Sequence, residues 1–435
     1  MTLSGCVQYA AKPVAPGAFP AALDARVLNE KPAGAVWSGA DLLQTALARN
    51  PSIAEARAKY RTAQAAARTA RLVPGLTLTL TGEYADEKPN WGYGAAADLP
   101  LDVGVRRGSR VTTADLQALQ AFYDLGEAAW KVMVDLEKAR AELTSANAGI
   151  VLADQAADLR RQRLERLEQR VAAGQDPRSV TLLAATDRVA ADRRAADART
   201  RRETALVALA KALGVSPAAA RSLTLAPPTP PPPLTDLAAW RRDAALSRSD
   251  VLRAVADYDI AESALRLEVA KQYPEVRIGP GYQYDHGVNK LPFNLTLALP
   301  SYDLNRRAID QAEAARAAAG RTLEVVQAQS LAAVDTAAVA LASAQAEVER
   351  TETRDLPNAR RTATNVARSL AAGETDRPDD LAARAVMAEA ELTLLDARRA
   401  AAMAAVDLED ALRRPFDPAQ GAVLQSVISQ PGGAQ

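Results

Sequence analysis

Two kinds of hydrophobic pattern follow one another along this chain. Long stretches with a helical period, rich in Ala, Leu and Arg, are interrupted twice by short segments in which apolar and polar residues alternate. The alternation is clearest at 76–81, Leu-Thr-Leu-Thr-Leu-Thr, and at 293–297, Phe-Asn-Leu-Thr-Leu. The pattern therefore predicts a mainly α-helical protein with a small β part.

The same order of elements occurs twice, about 200 residues apart. Pro74 and Pro274 each separate a helical from an alternating pattern, and Arg106-Arg107 recurs as Arg306-Arg307. A repetition of this kind indicates a duplicated structural unit, here a helix–strand–strand–helix–helix unit.

The repetition divides the chain into five parts. They are a leader (1–37), a first repeat (38–216), a Pro-rich linker (217–235), a second repeat (236–415) and a C-terminal tail (416–435). The linker contains Pro230–Pro233, and such a run is expected to form a stiff polyproline connector.

Each repeat is expected to contain three helices and two strands. The helices are predicted at 40–72, 105–172 and 178–214 and again at 236–272, 304–372 and 378–413. The strands are predicted at about 74–84, 92–104, 274–285 and 291–303. The 105–172 helix would be about 100 Å long, and the two shorter helices of the first repeat about 50 and 55 Å. Two short helices placed end to end therefore match a long one, which predicts a rod with coiled-coil packing.

The alternating segments have the dimensions of membrane strands. Each is about ten residues long, as a tilted strand of a membrane barrel is. Aromatic residues lie at or near their ends, where a membrane barrel has its aromatic belt: Tyr84, Trp91, Tyr93, Tyr273, Tyr282, Tyr284, Phe293 and Tyr302. The alternative is a pair of amphipathic hairpins on a soluble domain.

Four strands are too few to close a membrane barrel. Open sheet edges are not tolerated in lipid, so the membrane interpretation requires several copies of the chain to share one barrel. Three copies would supply twelve strands, an even number as in known membrane barrels.

The amino-acid composition argues against several classes of function. Lys and Arg total 53 and so do Asp and Glu, so nothing in the net charge indicates a nucleic-acid partner. One His and one Cys exclude disulfide frameworks and His-based metal sites within one chain. His286 lies between two predicted strands and is interpreted as a surface loop residue. We find no phosphate loop, metal-ligand spacing or nucleophile motif, so neither an enzyme nor a bound cofactor is predicted.

Two further features concern the membrane. No uncharged apolar run reaches the roughly 18–20 residues of a membrane-spanning helix, so no such helix is expected.

Cys6 follows Leu3-Ser4-Gly5, which is similar to the lipobox at which bacterial lipoproteins are cleaved and acylated. Five residues are too few for a signal peptide, so we expect the natural start further upstream and Cys6 to carry lipid such as palmitate. The alternative is an ordinary cysteine near a frayed terminus.

Taken in order, these features resemble the TolC family of bacterial outer-membrane efflux channels, from about Ala40 to Leu412. No motif is specific alone, but the motifs recur in duplicate at a nearly constant offset. They are Asn50-Pro51-Ser52-Ile53, Ser249-Asp250-Val251-Leu252, the helix-to-strand junctions at Pro74 and Tyr273-Pro274, the strand exit 299–307, and the turns after Gly174 and Gly373.

The resemblance implies a homotrimer whose twelve-stranded outer-membrane barrel continues into a long periplasmic α-helical barrel, with a belt around it formed partly by the linker and tail. It implies a passive, lipid-anchored duct of a tripartite efflux or type I secretion-like system. The implied partners are a periplasmic adaptor protein, an inner-membrane pump and outer-membrane lipid. The alternative is a soluble periplasmic adaptor or coiled-coil scaffold, although adaptors usually have one hairpin flanked by β-rich domains.

The resemblance also directs attention to the turns at the helix tips, which constrict the periplasmic entrance in the family. Asp379 matches an acidic position of the family, whereas the next such position is Ala382 here, so Asp376 and Asp380 are further candidates. In a trimer each Asp would form a ring of three carboxylates that favours cations. The alternative is Asp placed at a helix N-terminus by the helix dipole.

The first-repeat turn offers a second kind of candidate. Asp176 and Arg178 could form a salt bridge that holds the tip closed. Gly174 and Gly373 are candidates for the close approach of an adaptor helix tip, and both equally suit the C-cap of a helix.

Overall fold

The computed structural model describes residues 9–28, 31–32, 34–86, 88–101, 104–231 and 236–429. The leader and first repeat contain α1 (Ala18–Asp24), β1 (Val36–Trp37), α2 (Gly39–Arg49), α3 (Pro51–Ala70), β2 (Thr77–Tyr84), β3 (Trp91–Pro100), α4 (Val105–Ala172) and α5 (Ser179–Leu213). The linker contains α6 (Pro217–Ala220) and β4 (Thr224–Leu225). The second repeat and tail contain α7 (Leu237–Ser247), α8 (Ser249–Ala270), β5 (Glu275–Asp285), β6 (Val288–Lys290), β7 (Phe293–Ala298), α9 (Arg306–Arg350), α10 (Leu356–Ala371), α11 (Arg377–Leu412) and α12 (Pro418–Ser429).

The predicted fold class is confirmed, and the long helices lie where the sequence placed them. Helix α4 spans 68 residues with the predicted bounds. Its counterpart in the second repeat is continuous from α9 to α10 but contains a π-helical turn, Thr351–Asp355, which was not predicted. The alternating segments form β2, β3, β5 and β7, with the three-residue strand β6 added after β5.

The shorter helices stack end to end beside the long ones. Helices α3 and α5 both pack along α4, and α8 and α11 both pack on α4 and α9. At the first junction the Asn50 Nδ2 atom donates to the Ala212 carbonyl oxygen at 2.8 Å. At the second, the Arg248 Nη1 atom donates to the Ala411 carbonyl oxygen at 2.6 Å. Asn50 and Arg248 thus each donate a hydrogen bond to a carbonyl group at the C-terminal end of the helix stacked against them. These bonds satisfy backbone oxygens that have no partner inside the helix.

Two of the predicted helices are broken. The 40–72 and 236–272 predictions each form two helices, with extended backbone at Asn50 and Arg248. Asn50 caps α3 by accepting a hydrogen bond from the Ser52 backbone, and Pro51 occupies the first helical position. Because Asn followed by Pro is a common helix start, the first break had a signal in the sequence.

The leader, linker and tail carry structure that was not predicted. Strands β1 and β4 pair in parallel, with Val36 opposite Thr224 and Trp37 opposite Leu225. The tail helix α12 packs against α2 and α4. The largest core cluster joins these parts near the middle of α4, where Trp37, Leu136 and Leu424 are all buried. The described part of the linker is therefore folded against the leader.

The β-sheet is antiparallel and open. Strands β2, β3 and β5 lie side by side in that order, and both β6 and β7 pair with the far edge of β5. Within the described chain, the outer edges of β2 and β7 pair with no further strand. One protomer therefore ends its sheet with two free edges.

One helical stretch, Arg306–Ala371, is long and apolar enough by length and composition to cross a membrane, contrary to the expectation of none. Its best window has a mean hydropathy of 1.4. Within that stretch, Val334 and Leu341 are fully buried and form a core cluster with residues of α7 and α11. The apolar window itself is 28% buried, so this stretch is partly packed in a core and partly exposed.

Candidate functional site

The register of the sheet places its apolar side chains on one face. Leu80 lies opposite Ala95, which lies opposite Tyr282, and Ile278 lies opposite Leu295. The remaining apolar members follow the same ladders: Leu78, Tyr93, Leu99, Val276, Tyr284, Phe293 and Leu297.

This apolar face is left uncovered by the protomer. Leu80 is 73% exposed, Phe293 66% and Leu295 58%. A contiguous apolar patch of this kind marks a contact with lipid or another protein. Its aromatic members, and the 10 and 11 residues of β3 and β5, resemble the lipid-facing side of a membrane barrel.

The opposite face of the same strands is mostly polar residues and glycine. It carries Thr77, Thr79, Thr81, Gly94, Asp98, Arg277, Gly279, Gly281, Gln283, Asn294 and Thr296. The Arg277 guanidinium pairs with Asp98 across two strands, with Nη1 2.9 Å from Oδ2. A Cβ atom at Gly279 would lie 3.2 Å from both the Ala97 oxygen and the Asn294 Cβ atom, so glycine relieves crowding there. Such a face suits the wall of a water-filled lumen.

The helix tips at the other end of the rod share one backbone motif. Gly174 and Gly373 have φ angles of 72° and 74°, a region that favours glycine. The amides of Gln175 and Glu374 donate across each turn to the oxygens of Arg170 and Ser369, both at 2.9 Å, which is a Schellman C-cap. A Cβ atom at either glycine would meet no atom within 4 Å. The turn conformation alone therefore accounts for both glycines within one chain, and an adaptor contact stays a prediction.

One arginine connects the two turns. The Arg170 Nε atom lies 2.6 Å from Asp176 Oδ2, and its Nη1 atom lies 2.5 Å from Asp376 Oδ2. Hydrogen bonds from Asp176 first and Asp376 second raise the pKa of the Arg170 guanidinium. Asp176 and Asp376 belong to different repeats, so Arg170 connects the tip of the first repeat to that of the second.

Sequence reasoning missed this arginine and chose Arg178 as the partner of Asp176. Arg170 lies in the last turn of α4 and approaches both oxygens of Asp176, with Nη2 3.3 Å from Oδ1. Arg178 immediately precedes α5, and its exposed side chain forms no ion pair with the described residues. The only sequence signal for Arg170 was a basic residue near a helix C-terminus, which is common.

The three acidic candidates of the second turn differ in their surroundings. Asp380 is completely buried, and its two oxygens accept from Arg377 at 2.9 Å and Arg384 at 3.0 Å. Asp376 is engaged by Arg170. Asp379 is exposed, and its side chain has no hydrogen bond or ion pair within the described part of the chain. Asp379 is therefore the carboxylate most available to ions.

The His286 ring lies in the β5–β6 turn, with Nδ1 2.7 Å from the Pro89 oxygen. No group of three or more His, Cys, Asp or Glu side chains within the described ranges is arranged to hold a metal ion. Cys6 lies outside the described residues, so its acylation stays a prediction.

Comparison with known proteins tests the family resemblance. The family model of the outer membrane efflux proteins matches residues 42–215, almost the whole first repeat. The outer membrane protein VceC from Vibrio cholerae has the same fold, with a TM-score of 0.71 over 86% of this chain and 96% of its own at 20% identity. The resemblance to the TolC family is confirmed.

Other solved structures agree with the TolC-family fold. A membrane protein from Pseudomonas aeruginosa has a TM-score of 0.73 and 21% identity, covering 87% of this chain and 90% of its own. The CmeC outer membrane channel of Campylobacter jejuni has a TM-score of 0.73 and 13% identity, covering 91% and 89%. No curated protein matches the sequence. The family match and the fold favour an outer-membrane efflux channel over a soluble adaptor or scaffold.

Proposed function

We propose that this chain is one protomer of a homotrimeric efflux channel of the bacterial outer membrane. The observation that carries the proposal is the open sheet, in which β2, β3 and β5 are followed by β6 and β7, which together occupy one strand position beside β5. This four-position wall has an uncovered apolar face, a polar opposite face and two free edges. Free edges are not stable in lipid, so each edge pairs with the next copy. Three copies close a barrel of twelve strands.

The helices extend this barrel into the periplasm as a tunnel. Helix α4 alone is about 100 Å long, which is several times the roughly 30 Å hydrocarbon thickness of a bilayer. The duct is passive and carries substrate from an inner-membrane pump and a periplasmic adaptor to the outside. The adaptor contacts the tips around Gly174 and Gly373. Acylated Cys6 anchors the leader in the lipid that surrounds the barrel.

The tips form the periplasmic gate of the proposed channel. Arg170 holds the turns of the two repeats together, and this contact supports a closed arrangement. Three copies of Asp379 form an acidic ring at the entrance, which favours cations. Buried Asp380 fixes the start of α11 through its two arginines.

The proposal is tested by fractionation and mass. The protein is expressed with a lipoprotein signal sequence, and the inner and outer membranes are separated. The mass of the protein is then measured in mild detergent. We expect an outer-membrane particle with a protein mass of three times 46.0 kDa. A monomer recovered from the soluble fraction without detergent would contradict the proposal and favour the adaptor or scaffold.

A further inference from the structure

A groove of about 580 Å³ opens near the middle of the rod. Its walls come from α9, the adjoining π-helical turn, α11, the linker and the start of the tail. These elements all belong to one chain.

 Along α11 itself, the groove residue Glu409 lies about 48 Å from Arg377 at the tip, so groove and tip are separate sites.

A buried polar network forms the floor of the groove. The Arg140 Nε atom donates to Glu137 Oε2 at 3.1 Å, and the Gln420 Nε2 atom donates to Glu137 Oε1 at 2.5 Å. Arg140 is 2% exposed and Glu137 4%. The charge of Arg140 is therefore neutralised by Glu137.

Glu409 lies beside this network but lacks a cation of its own. It is 7% exposed, and Oε1 accepts from the Phe416 backbone amide at 2.6 Å. Its side chain has no ion pair with any described residue. Burial first, and then the nearby charge of Glu137, raise the pKa of Glu409 to about 7. An ionised Glu409 is thus a buried charge in need of a counter-charge.

The rest of the groove has an excess of carboxylates over an apolar wall. The charged groups that face it besides Glu137, Arg140 and Glu409 are Glu349, Glu352, Arg398 and Asp417. Arg398 is already paired with Glu352, with Nη2 2.9 Å from Oε1. The apolar wall includes Leu341, Val348, Phe416, Pro228 and Pro230.

We propose that this groove binds a compact lipophilic organic cation, with its positive charge at Glu409 and its apolar body against Val348 and Phe416. The excess of carboxylates supplies the charge complementarity, and the buried Glu409 gains the partner that the chain does not provide. The size of the groove is within the range of small-molecule sites. This inference does not depend on the proposed channel function.

The proposed site predicts how the affinity for the cation depends on pH. A bound cation favours the ionised form of Glu409, so affinity is fully present above the pKa of the free protein. It is lost as the pH falls through about 7. At pH 6, binding is therefore accompanied by proton release from Glu409.

The test uses the detergent-solubilised full-length protein and tetraphenylphosphonium as the probe, in equilibrium dialysis at pH 8. Glu409→Gln keeps an oxygen for the Phe416 amide but removes the charge, so we expect affinity about tenfold weaker or worse, with the thermal midpoint not lowered. The rim variant Glu349→Gln is the matched control and should change affinity less than about twofold. Binding to detergent alone is subtracted with a protein-free sample.

Three results would overturn the proposal. They are equal binding of the neutral analogue triphenylphosphine oxide, unchanged affinity in Glu409→Gln, and no saturable binding to the wild-type protein. If Glu409→Gln does not fold, calorimetry of the wild-type protein at pH 6 in buffers of different ionisation enthalpy decides. Proton release on binding supports the proposal, and its absence contradicts it.

Discussion

The two ends of the rod differ in how far one chain satisfies its own groups. At the strand end, an apolar face and two sheet edges are left open. At the tip end, Asp176 and Asp376 share Arg170, and Asp380 lies between two arginines. The strand end therefore requires other molecules, whereas the tip end holds a defined arrangement that a few substitutions can open.

The strand end should show the largest effect of a single substitution. Leu80→Lys places a charge on the uncovered apolar face, at a cost of about 2–4 kcal/mol if that face meets the bilayer centre. We expect a strong loss of trimer from the outer-membrane fraction. The matched control is Thr79→Lys on the polar face, which should assemble. Equal assembly of both variants would contradict the assignment of the two faces.

Asp380 should show the next largest effect, and it concerns stability. Asp380→Ala leaves Arg377 and Arg384 without their shared carboxylate, at a cost of about 1–3 kcal/mol. The lower stability should appear as a reduced thermal midpoint and faster proteolysis at the start of α11. The exposed neighbour variant Asp379→Ala should stay within about 0.5 kcal/mol of the wild type. A similar loss in both variants would show that burial of Asp380 is not the cause.

Arg170 should affect opening more than folding. Arg170→Ala frees the turns of the two repeats from each other, and we expect a higher open fraction in planar-bilayer recordings. The increase should be about tenfold at most, because exposed ion pairs are individually weak. Arg178→Ala removes an arginine of the same tip that has no ion pair with the described residues, and it should leave the open fraction unchanged. An equal change of the open fraction in the two variants would contradict a role of Arg170 in holding the channel closed.

Asp379 should have the smallest effect, on ion preference alone. Asp379→Asn removes the exposed carboxylate, and we expect the cation-to-anion permeability ratio to fall by about twofold. Reversal potentials in a salt gradient measure the ratio. Asp192→Asn, on the exposed face of α5 away from the turns, serves as the control. An unchanged ratio in Asp379→Asn would favour the alternative in which this Asp only stabilises a helix N-terminus.

The long-range order of the fold could be predicted because it repeats and is periodic. The bounds of α4 and the two glycine turns follow from helical period, length and glycine position. The strands β1 and β4 could not be predicted, because two residues carry no period and their pairing joins the leader to the linker. The break at Asn50 had a signal, Asn followed by Pro, that the helical period of its surroundings obscured.

The site was predicted less well, for a physical reason. Sequence reasoning compares neighbours along the chain and therefore paired Asp176 with Arg178. In the structure Arg170 reaches Asp176 across the turn and also Asp376, which lies 206 positions away in sequence. The buried position of Asp380 likewise depends on the packing of α11 and is not visible in its neighbours. Charge contacts between repeats are set by the tertiary structure.

The central claim, that copies of the chain close one barrel through the free edges of β2 and β7, is tested most directly by cross-linking. Cysteines are introduced in pairs, one along β2 around Thr79 and one along β7 around Thr296, and the membranes are oxidised. We predict covalent dimers and trimers, with nothing larger, only in variants that carry both cysteines. Absence of cross-linking at every register tried, or a ladder that continues beyond three chains, would contradict the shared trimeric barrel.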